Sequence, residues 1–156
     1  MQTIIPYLVV KDAAAAIEFY KAAFGAVEKF RMAGPDGERL IHAQLLFGNE
    51  LIFLCDDFSN HPASCKSPTA LGGSTVTIHM ISPNVDKTIA TAVAAGATIT
   101  MPTADMFWGD RYGRISDPFG HMWSISTPKE KLNPDQMNSA AKTFFSKMDQ
   151  QQQQQQ

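Results

Sequence analysis

Apolar and polar positions alternate along the first third of the chain in a pattern that predicts four strands and one helix. The predicted elements are a strand over 4–10, a helix over 13–24, and strands over 27–32, 39–47 and 50–55. Asp12 is a typical helix N-cap and Gly25 a typical residue after a helix. Gly48-Asn49 predicts the hairpin turn between the last two strands.

The same order of elements restarts after residue 73. It comprises a strand over 74–81, a helix over 85–95, a strand over 98–101, and two further strands that end near residue 127. Pro83-Asn84 caps the helix, and Gly96 ends it. The last two strands flank the turn Asp117-Pro118-Phe119-Gly120, in which proline presets its own φ and glycine tolerates a positive one. Residues 56–73 and 102–108 show neither period and are predicted to be loops.

The two halves are also similar in sequence. Residues 37–51 align without a gap on residues 109–123, at an offset of 72 positions. Glycines match at Gly37 and Gly109 and again at Gly48 and Gly120. We therefore predict an α+β fold of two tandem βαβββ modules, which form a cupped mixed sheet with the helices outside.

The predicted boundaries give one compact domain. Its parts are a first module over 1–57, a connector over 58–73, a second module over 74–128, a C-terminal helical segment over 129–149, and a polyglutamine tail over 150–156. The C-terminal helix itself is predicted over 136–148, with an apolar stripe that includes Met137, Phe144 and Met148. The tail is expected to be disordered or to fray.

Composition narrows the class of protein. The 156 residues are 44% hydrophobic and carry a net charge of −2, which suits a globular core and argues against nucleic acid or an anionic membrane as partner. No apolar run approaches the length of a membrane span, and the start lacks the pattern of a signal peptide, so we expect a cytoplasmic location. Cys55 and Cys65 do not form a Cys-x-x-Cys pair and are expected to be reduced thiols.

Strand alternation places several polar side chains on one face of the predicted sheets, and a cleft between the two half-sheets is the default site. Tyr7 and His79 occupy matching places in the first strands of the two modules. His79 is either a donor facing a ligand or a polar residue on a wet face. His42 and Gln44 point together, and they either contact substrate or pack against the second module.

Two further residues near the second hairpin have an open role. Arg111 either binds an anionic group of a ligand or pairs with Asp110 or Asp117 to hold the loop, and we favour the second interpretation. Trp108, with Phe107, could form an aromatic wall over a planar ligand. The other members of this stretch are predicted to be structural, with Asp117 and His121 serving the turn and Trp123 the core.

The order and spacing of several short motifs resemble one known superfamily. The motifs are Pro6-Tyr7-Leu8, Ala16-Ile17-Glu18-Phe19-Tyr20, Phe24-Gly25-Ala26, His42-Ala43, Phe107-Trp108-Gly109-Asp110-Arg111, and Asp117-Pro118-Phe119-Gly120-His121 with Trp123. Over residues 3–128 the chain resembles the vicinal oxygen chelate superfamily of glyoxalases, bleomycin-resistance proteins and dioxygenases, and within it the PhnB-like branch. The resemblance implies a homodimer.

The resemblance also identifies where metal-dependent relatives place their ligands. Carried onto this chain, the four positions are Ile5, Ile52, Thr77 and Ser124. Aliphatic and hydroxyl side chains are poor ligands for Zn²⁺, Mn²⁺ or Fe²⁺, so we expect no metal cofactor. A slip of one or two residues in strand register would bring Glu50 or His79 to such a position.

Two hypotheses for function follow. The first is a protein that binds a small organic molecule in the cleft without a metal. The second is a metal-dependent lyase, isomerase or dioxygenase that uses His42, Glu50 or His79 as ligand or general base, and it requires three of those residues and Gln44 to converge. No catalytic residue is assigned. The expected ligand-binding residues are Tyr7, His42, Gln44, Glu50, His79, Trp108 and Arg111.

Overall fold

The computed structural model describes residues 2–62 and 64–153 and confirms the α+β class. Its strands are β1 (Tyr7–Val10), β2 (Val27–Ala33), β3 (Leu40–Phe47), β4 (Glu50–Asp56), β5 (Thr77–Ile81), β6 (Thr98–Asp105), β7 (Asp110–Ser116) and β8 (Met122–Pro128). Its helices are α1 (Ala13–Phe24), α2 (Pro68–Leu71), α3 (Val85–Ala94) and α4 (Pro134–Gln153).

The strands form two four-stranded mixed sheets, one for each module. The order is β1-β4-β3-β2 in the first sheet and β5-β8-β7-β6 in the second, so the two modules share one topology. In each sheet the first strand of the module lies at an edge and pairs in parallel with the last. The two tandem βαβββ modules predicted from the repeat are therefore confirmed.

The helix caps form as the sequence predicts. Asp12 accepts a hydrogen bond from the backbone N–H of Ala15 at 2.9 Å, and Asn84 accepts one from the N–H of Lys87 at 2.9 Å. Each cap satisfies a backbone donor that a helix N-terminus would otherwise leave free. Helices α1 and α3 pack against each other, and each covers one face of its own sheet.

Asp117 joins the two modules at the turn before β8. The side chain is 4% exposed, and four donors surround it. One oxygen accepts from the Tyr20 hydroxyl of α1 at 2.7 Å and from the Trp123 indole N–H at 2.9 Å. The other oxygen accepts from the backbone N–H groups of Phe119 and His121 at 2.9 Å. This carboxylate thus fixes the turn and docks it on the first module.

Several elements differ from the prediction. Strands β1 and β5, predicted over 4–10 and 74–81, begin three residues later, at Tyr7 and Thr77, where their pairing with β4 and β8 starts. Strand β6 continues to Asp105 through Pro102, which an edge strand tolerates because one side needs no ladder hydrogen bond. The connector contains the short helix α2, capped by Ser67. Helix α4 runs from Pro134 to Gln153 and so includes the first four tail glutamines, while residues 154–156 lie outside the described part of the chain.

The internal repeat is real, but its gapless alignment is two residues out in β3 and β7. Tyr7 pairs with Phe53 and Phe53 with Gln44, whereas His79 pairs with Ser124 and Ser124 with Arg114. The structural equivalent of Gln44 is therefore Arg114 and not Ser116. Two differences of one residue add up to this shift. The second hairpin is one residue longer, because the paired residues Arg114 and Ser124 lie ten positions apart and Gln44 and Phe53 nine. The gapless alignment is also one residue out in β4 and β8, where Phe53 corresponds to Ser124 and not to Ile125.

Candidate functional site

A groove of about 980 Å³ lies between the two sheets, and we call it the intermodule groove. Its walls are the outer edges of β1 and β5, and the connector from Cys65 onward forms part of its rim. Tyr7, His79 and His121 line it. The structure thus brings two of the predicted ligand-binding residues, Tyr7 and His79, to one cavity.

Two equivalent rows of side chains run away from the groove on the faces opposite the helices. The strand pairings place Tyr7, Phe53 and Gln44 in a row across the first sheet. The matching row across the second sheet is His79, Ser124 and Arg114. The first row is largely aromatic and neutral, whereas the second is polar and ends in a cation.

On the first sheet, Tyr7, His42 and Gln44 form a connected hydrogen-bond network. The Gln44 side-chain nitrogen lies 3.1 Å from His42 Nε2, and the Tyr7 hydroxyl lies 2.8 Å from His42 Nδ1. Because an amide nitrogen only donates, Nε2 accepts, so neutral His42 donates from Nδ1 to the tyrosine oxygen. The hydroxyl then donates to the Ile41 carbonyl at 3.3 Å. Partial burial, followed by the nearby Cys55 thiol, raises the pKa of Tyr7.

Phe53 completes an aromatic surface around this network. Its ring meets the rings of Tyr7 and His42 edge to face, with centroids 5.8 and 4.9 Å away. Phe30 lies 6.3 Å from the His42 ring, and 43% of its side chain is exposed. This surface offers an apolar, planar group a place to pack.

On the second sheet, two buried serines hold His79. Ser124 Oγ lies 2.8 Å from Nδ1 and Ser126 Oγ lies 3.4 Å from Nε2. The Tyr112 ring stacks on the imidazole at 6.4 Å with an interplanar angle of 17°. Trp108 meets Tyr112 edge to face at 5.4 Å. Trp108 therefore lies at the rim of this polar face. The sequence analysis predicted that it could form an aromatic wall over a planar ligand.

Arg111 lies elsewhere, in a surface ion-pair cluster between α3 and the β6–β7 edge. Its guanidinium binds Asp86 through Nε at 2.6 Å and Asp105 through Nη1 at 3.2 Å. These contacts agree with a structural role, but the partners are not the predicted Asp110 and Asp117. Hydrogen bonds from Arg111, then from Thr103, lower the pKa of Asp86 to about 2.

The geometry that the metal-dependent hypothesis requires is not formed. His42 and Gln44 are in contact, but His79 belongs to the other sheet and binds serines, and Glu50 is exposed at the hairpin end of β4. Over residues 2–62 and 64–153, no three His, Cys, Asp or Glu side chains form a group able to hold a metal ion.

The positions of family metal ligands also fail to supply a donor set. Ile52 is 5% exposed and belongs to the core under the helix, so its neighbour Phe53 is the true counterpart of Ser124. Thr77 and Ser124 carry hydroxyls, which are weak ligands for a divalent transition metal. The residues present do not fit the metal centre of the metal-dependent relatives.

Sequence reasoning missed Phe53, Tyr112 and Arg114. A signal for the last two exists in the alternation along β7, because Gly113 and Ile115 are buried toward α3. The residues between and before them, Tyr112 and Arg114, must then lie on the opposite face of the sheet. Phe53 could not be found in this way. Ile52 and Phe53 are both apolar, so the sequence does not show which of the two faces the helix and which lies on the opposite face.

Paired βαβββ modules with a groove between their sheets are the arrangement that the sequence resemblance predicted. The model of the Glyoxalase/Bleomycin resistance protein/Dioxygenase superfamily matches residues 3–125. The chain belongs to this superfamily.

Curated relatives include uncharacterized proteins of bacteria and a plant. One from Mycobacterium tuberculosis is 47% identical over 139 residues, which cover 86% of this chain and 79% of the relative. One from Arabidopsis thaliana is 30% identical over 121 residues, which cover 73% and 70% of the two chains.

Solved structures support the same fold. The Arabidopsis thaliana gene product superposes with a TM-score of 0.65 at 27% identity, over 81% of this chain and 98% of that one. A PhnB protein of Bacillus cereus gives 0.61 at 18% identity, over 81% and 99%. The fosfomycin-resistance protein FosX of Listeria monocytogenes, solved with Mn(II) and a dihydroxypropylphosphonic acid, gives 0.61 at 14%, over 88% and 95%. The last two show similarity of fold alone.

None of the helices within residues 2–62 and 64–153 is both long enough and apolar enough to cross a membrane.

Proposed function

We propose that this protein binds a small organic molecule in the intermodule groove without a metal ion. The observation that carries the proposal is the chemistry of the two rows beside the groove. At the places where metal-dependent relatives hold a metal ion, this chain has aliphatic, aromatic and hydroxyl side chains.

The groove suits such a ligand in size and in lining. Its volume of about 980 Å³ lies near the upper end of drug-sized sites. One wall presents the exposed Tyr7 ring, and the other presents hydroxyl and imidazole groups. A ligand with an apolar planar part and a polar part would contact both walls.

A fluorescence titration with the neutral dye N-phenyl-1-naphthylamine tests binding in the groove. Thr77 lines the groove and is exposed, so Thr77→Trp fills the cavity without disturbing the core. We expect saturable binding to the wild type and a loss of at least about tenfold in the variant. The matched control is Thr98→Trp on the far edge strand β6. Equal binding by all three proteins would refute the groove as the site.

Metal content separates the proposal from metal-dependent catalysis. The purified protein is incubated with Zn²⁺, Mn²⁺, Ni²⁺ or Fe²⁺, desalted and subjected to elemental analysis. We expect no stoichiometric retention and dye binding that is unchanged by a chelator. A metal retained at one equivalent per chain would overturn the proposal and direct attention to Glu50 and His79.

The homodimer and the cytoplasmic location stay predictions. Light scattering of the full chain measures the first, and fractionation of cells that express the protein measures the second. We propose neither nucleic acid nor a membrane as a partner.

A further inference from the structure

The four arginines of the chain differ in what balances their charge. Arg31 pairs with Glu28, Arg39 pairs with Asp36, and Arg111 pairs with Asp86 and Asp105. Across the described residues, Arg114 has no carboxylate within ion-pair distance. Its charge is therefore available to something outside the chain.

Arg114 is nevertheless held in a defined position. Its Nε donates to the Tyr112 hydroxyl at 2.7 Å, and its Cζ lies 5.9 Å from the centroid of that ring. This contact uses one of the five guanidinium N–H groups. The two outer nitrogens can still donate side by side to two oxygens of a carboxylate, sulfonate or phosphate group. An arginine held by a neutral hydroxyl keeps its full charge for an incoming anion.

Arg114 also lies in the row that begins at the groove. His79 lines the groove, and Ser124 and Arg114 follow on the next two strands. Two interstrand spacings amount to about 9.5 Å. Between them, the Tyr112 ring stacks parallel to the imidazole and offers a continuous surface to a planar group.

We propose that the ligand of this site is an elongated organic anion and that Arg114 selects it. The inference rests on the proposed binding function and adds the ligand class. The apolar part of the ligand lies in the groove, and its acidic group reaches Arg114 along the Tyr112 surface. Arg111, for which the sequence left anion binding open as the less favoured of two roles, already pairs with the carboxylates of Asp86 and Asp105.

A matched pair of dyes isolates the contribution of the charge. N-Phenyl-1-naphthylamine is neutral, and 8-anilinonaphthalene-1-sulfonate has the same aromatic skeleton with one sulfonate added. Affinities for both are measured by fluorescence with the wild type, Arg114→Gln and the control Arg39→Gln. Arg39 is an exposed arginine that lies over Phe58 and pairs with Asp36.

We expect the wild type and Arg39→Gln to bind the sulfonate more tightly than the neutral dye. Arg114→Gln should weaken sulfonate binding about tenfold, as expected for one charge-assisted contact. Its affinity for the neutral dye should not change, which also shows that the variant is folded. Arg114→Lys should retain part of the preference, since it keeps the charge but loses the fork.

Several results would overturn the assignment. A wild type that binds both dyes equally would refute an anionic ligand while leaving the proposed function intact, whereas no binding of either dye would refute both. A preference that survives in Arg114→Gln, or that fades as pH rises through the range where imidazoles titrate, would assign the anion to another cation. A changed oligomeric state of Arg114→Gln would show that Arg114 instead binds a second copy.

Discussion

Asp117→Asn should destabilise the protein strongly, although it replaces one oxygen by nitrogen and changes little else. The carboxylate accepts four hydrogen bonds in a site that is 4% exposed. An amide oxygen can keep the two backbone donors of the turn. The amide nitrogen then faces the Tyr20 hydroxyl and the Trp123 indole N–H, both of which now donate to the carboxylate.

The two displaced donors are not equivalent. A hydroxyl can rotate and accept from the new N–H, but the indole can only donate, so Trp123 is left with a buried, unpaired N–H. Such a group costs about 1–3 kcal/mol, and loss of the carboxylate's charge weakens the remaining bonds by about 1 kcal/mol more. We therefore expect the free energy of unfolding to fall by about 2–4 kcal/mol.

Urea unfolding followed by far-ultraviolet circular dichroism measures this change. Asp149→Asn is the control, because Asp149 is exposed on α4 and its side chain makes no hydrogen bond within the described chain. Tyr20→Phe removes one of the four donors and should be less than additive with Asp117→Asn. A loss below about 0.5 kcal/mol in Asp117→Asn would refute the view that this carboxylate joins the modules.

Three further outcomes are expected. Arg111 holds the pKa of Asp86 at about 2, so ionised Asp86 stabilises the fold above pH 4, and this stabilisation disappears as pH falls toward 2. Arg111→Gln should reduce this acid dependence of the free energy of unfolding, measured by urea titrations at low salt. An unchanged acid profile would argue against the ion pair. Burial, followed by the charge of Asp117, raises the pKa of Tyr20, so stability should fall as pH rises above about 10, and Tyr20→Phe should lack this component. In thiol titrations with a colorimetric disulfide reagent, exposed Cys65 should react rapidly and Cys55 slowly, because burial raises the pKa of Cys55. A dye bound in the groove should slow the reaction of Cys65, which lines the groove. Equal rates for the two thiols without dye would contradict this assignment.

Local chemistry made most of the fold predictable. The caps at Asp12 and Asn84 bind the expected backbone donors, and the strand alternation of the last strand holds, with Trp123 buried in the core. Pro102 misled the assignment of β6, because the tolerance of an edge strand for proline depends on topology, which local pattern does not reveal. Asp117 was predicted to serve its own turn, but its bond to Tyr20 spans 97 positions and leaves no local signal.

The candidate site was less predictable, because a site depends on register. Shifting a strand by one residue exchanges its two faces, so one position decided between Ile52 and Phe53. The motif around Arg111 drew attention to that arginine and not to Arg114 on the same strand. Buried Gly113 and Ile115 show that Arg111 shares the helix-facing side, where Asp86 of α3 neutralises it.

The two modules differ in the equivalent rows of side chains beside the groove. Tyr7 and His79 each lie five positions before a helix N-cap and face one groove, yet the row behind Tyr7 continues to Phe53 and Gln44, and the row behind His79 ends at Arg114. A symmetric ligand or a centrally bound metal ion would favour similar donors on both sides. One wall is aromatic and neutral, and the other carries an arginine with no carboxylate partner among residues 2–62 and 64–153. This difference favours the proposed amphipathic ligand, held in a single orientation. The asymmetry between the duplicated halves thus links the two proposals, namely a site without a metal ion and a ligand with an acidic group.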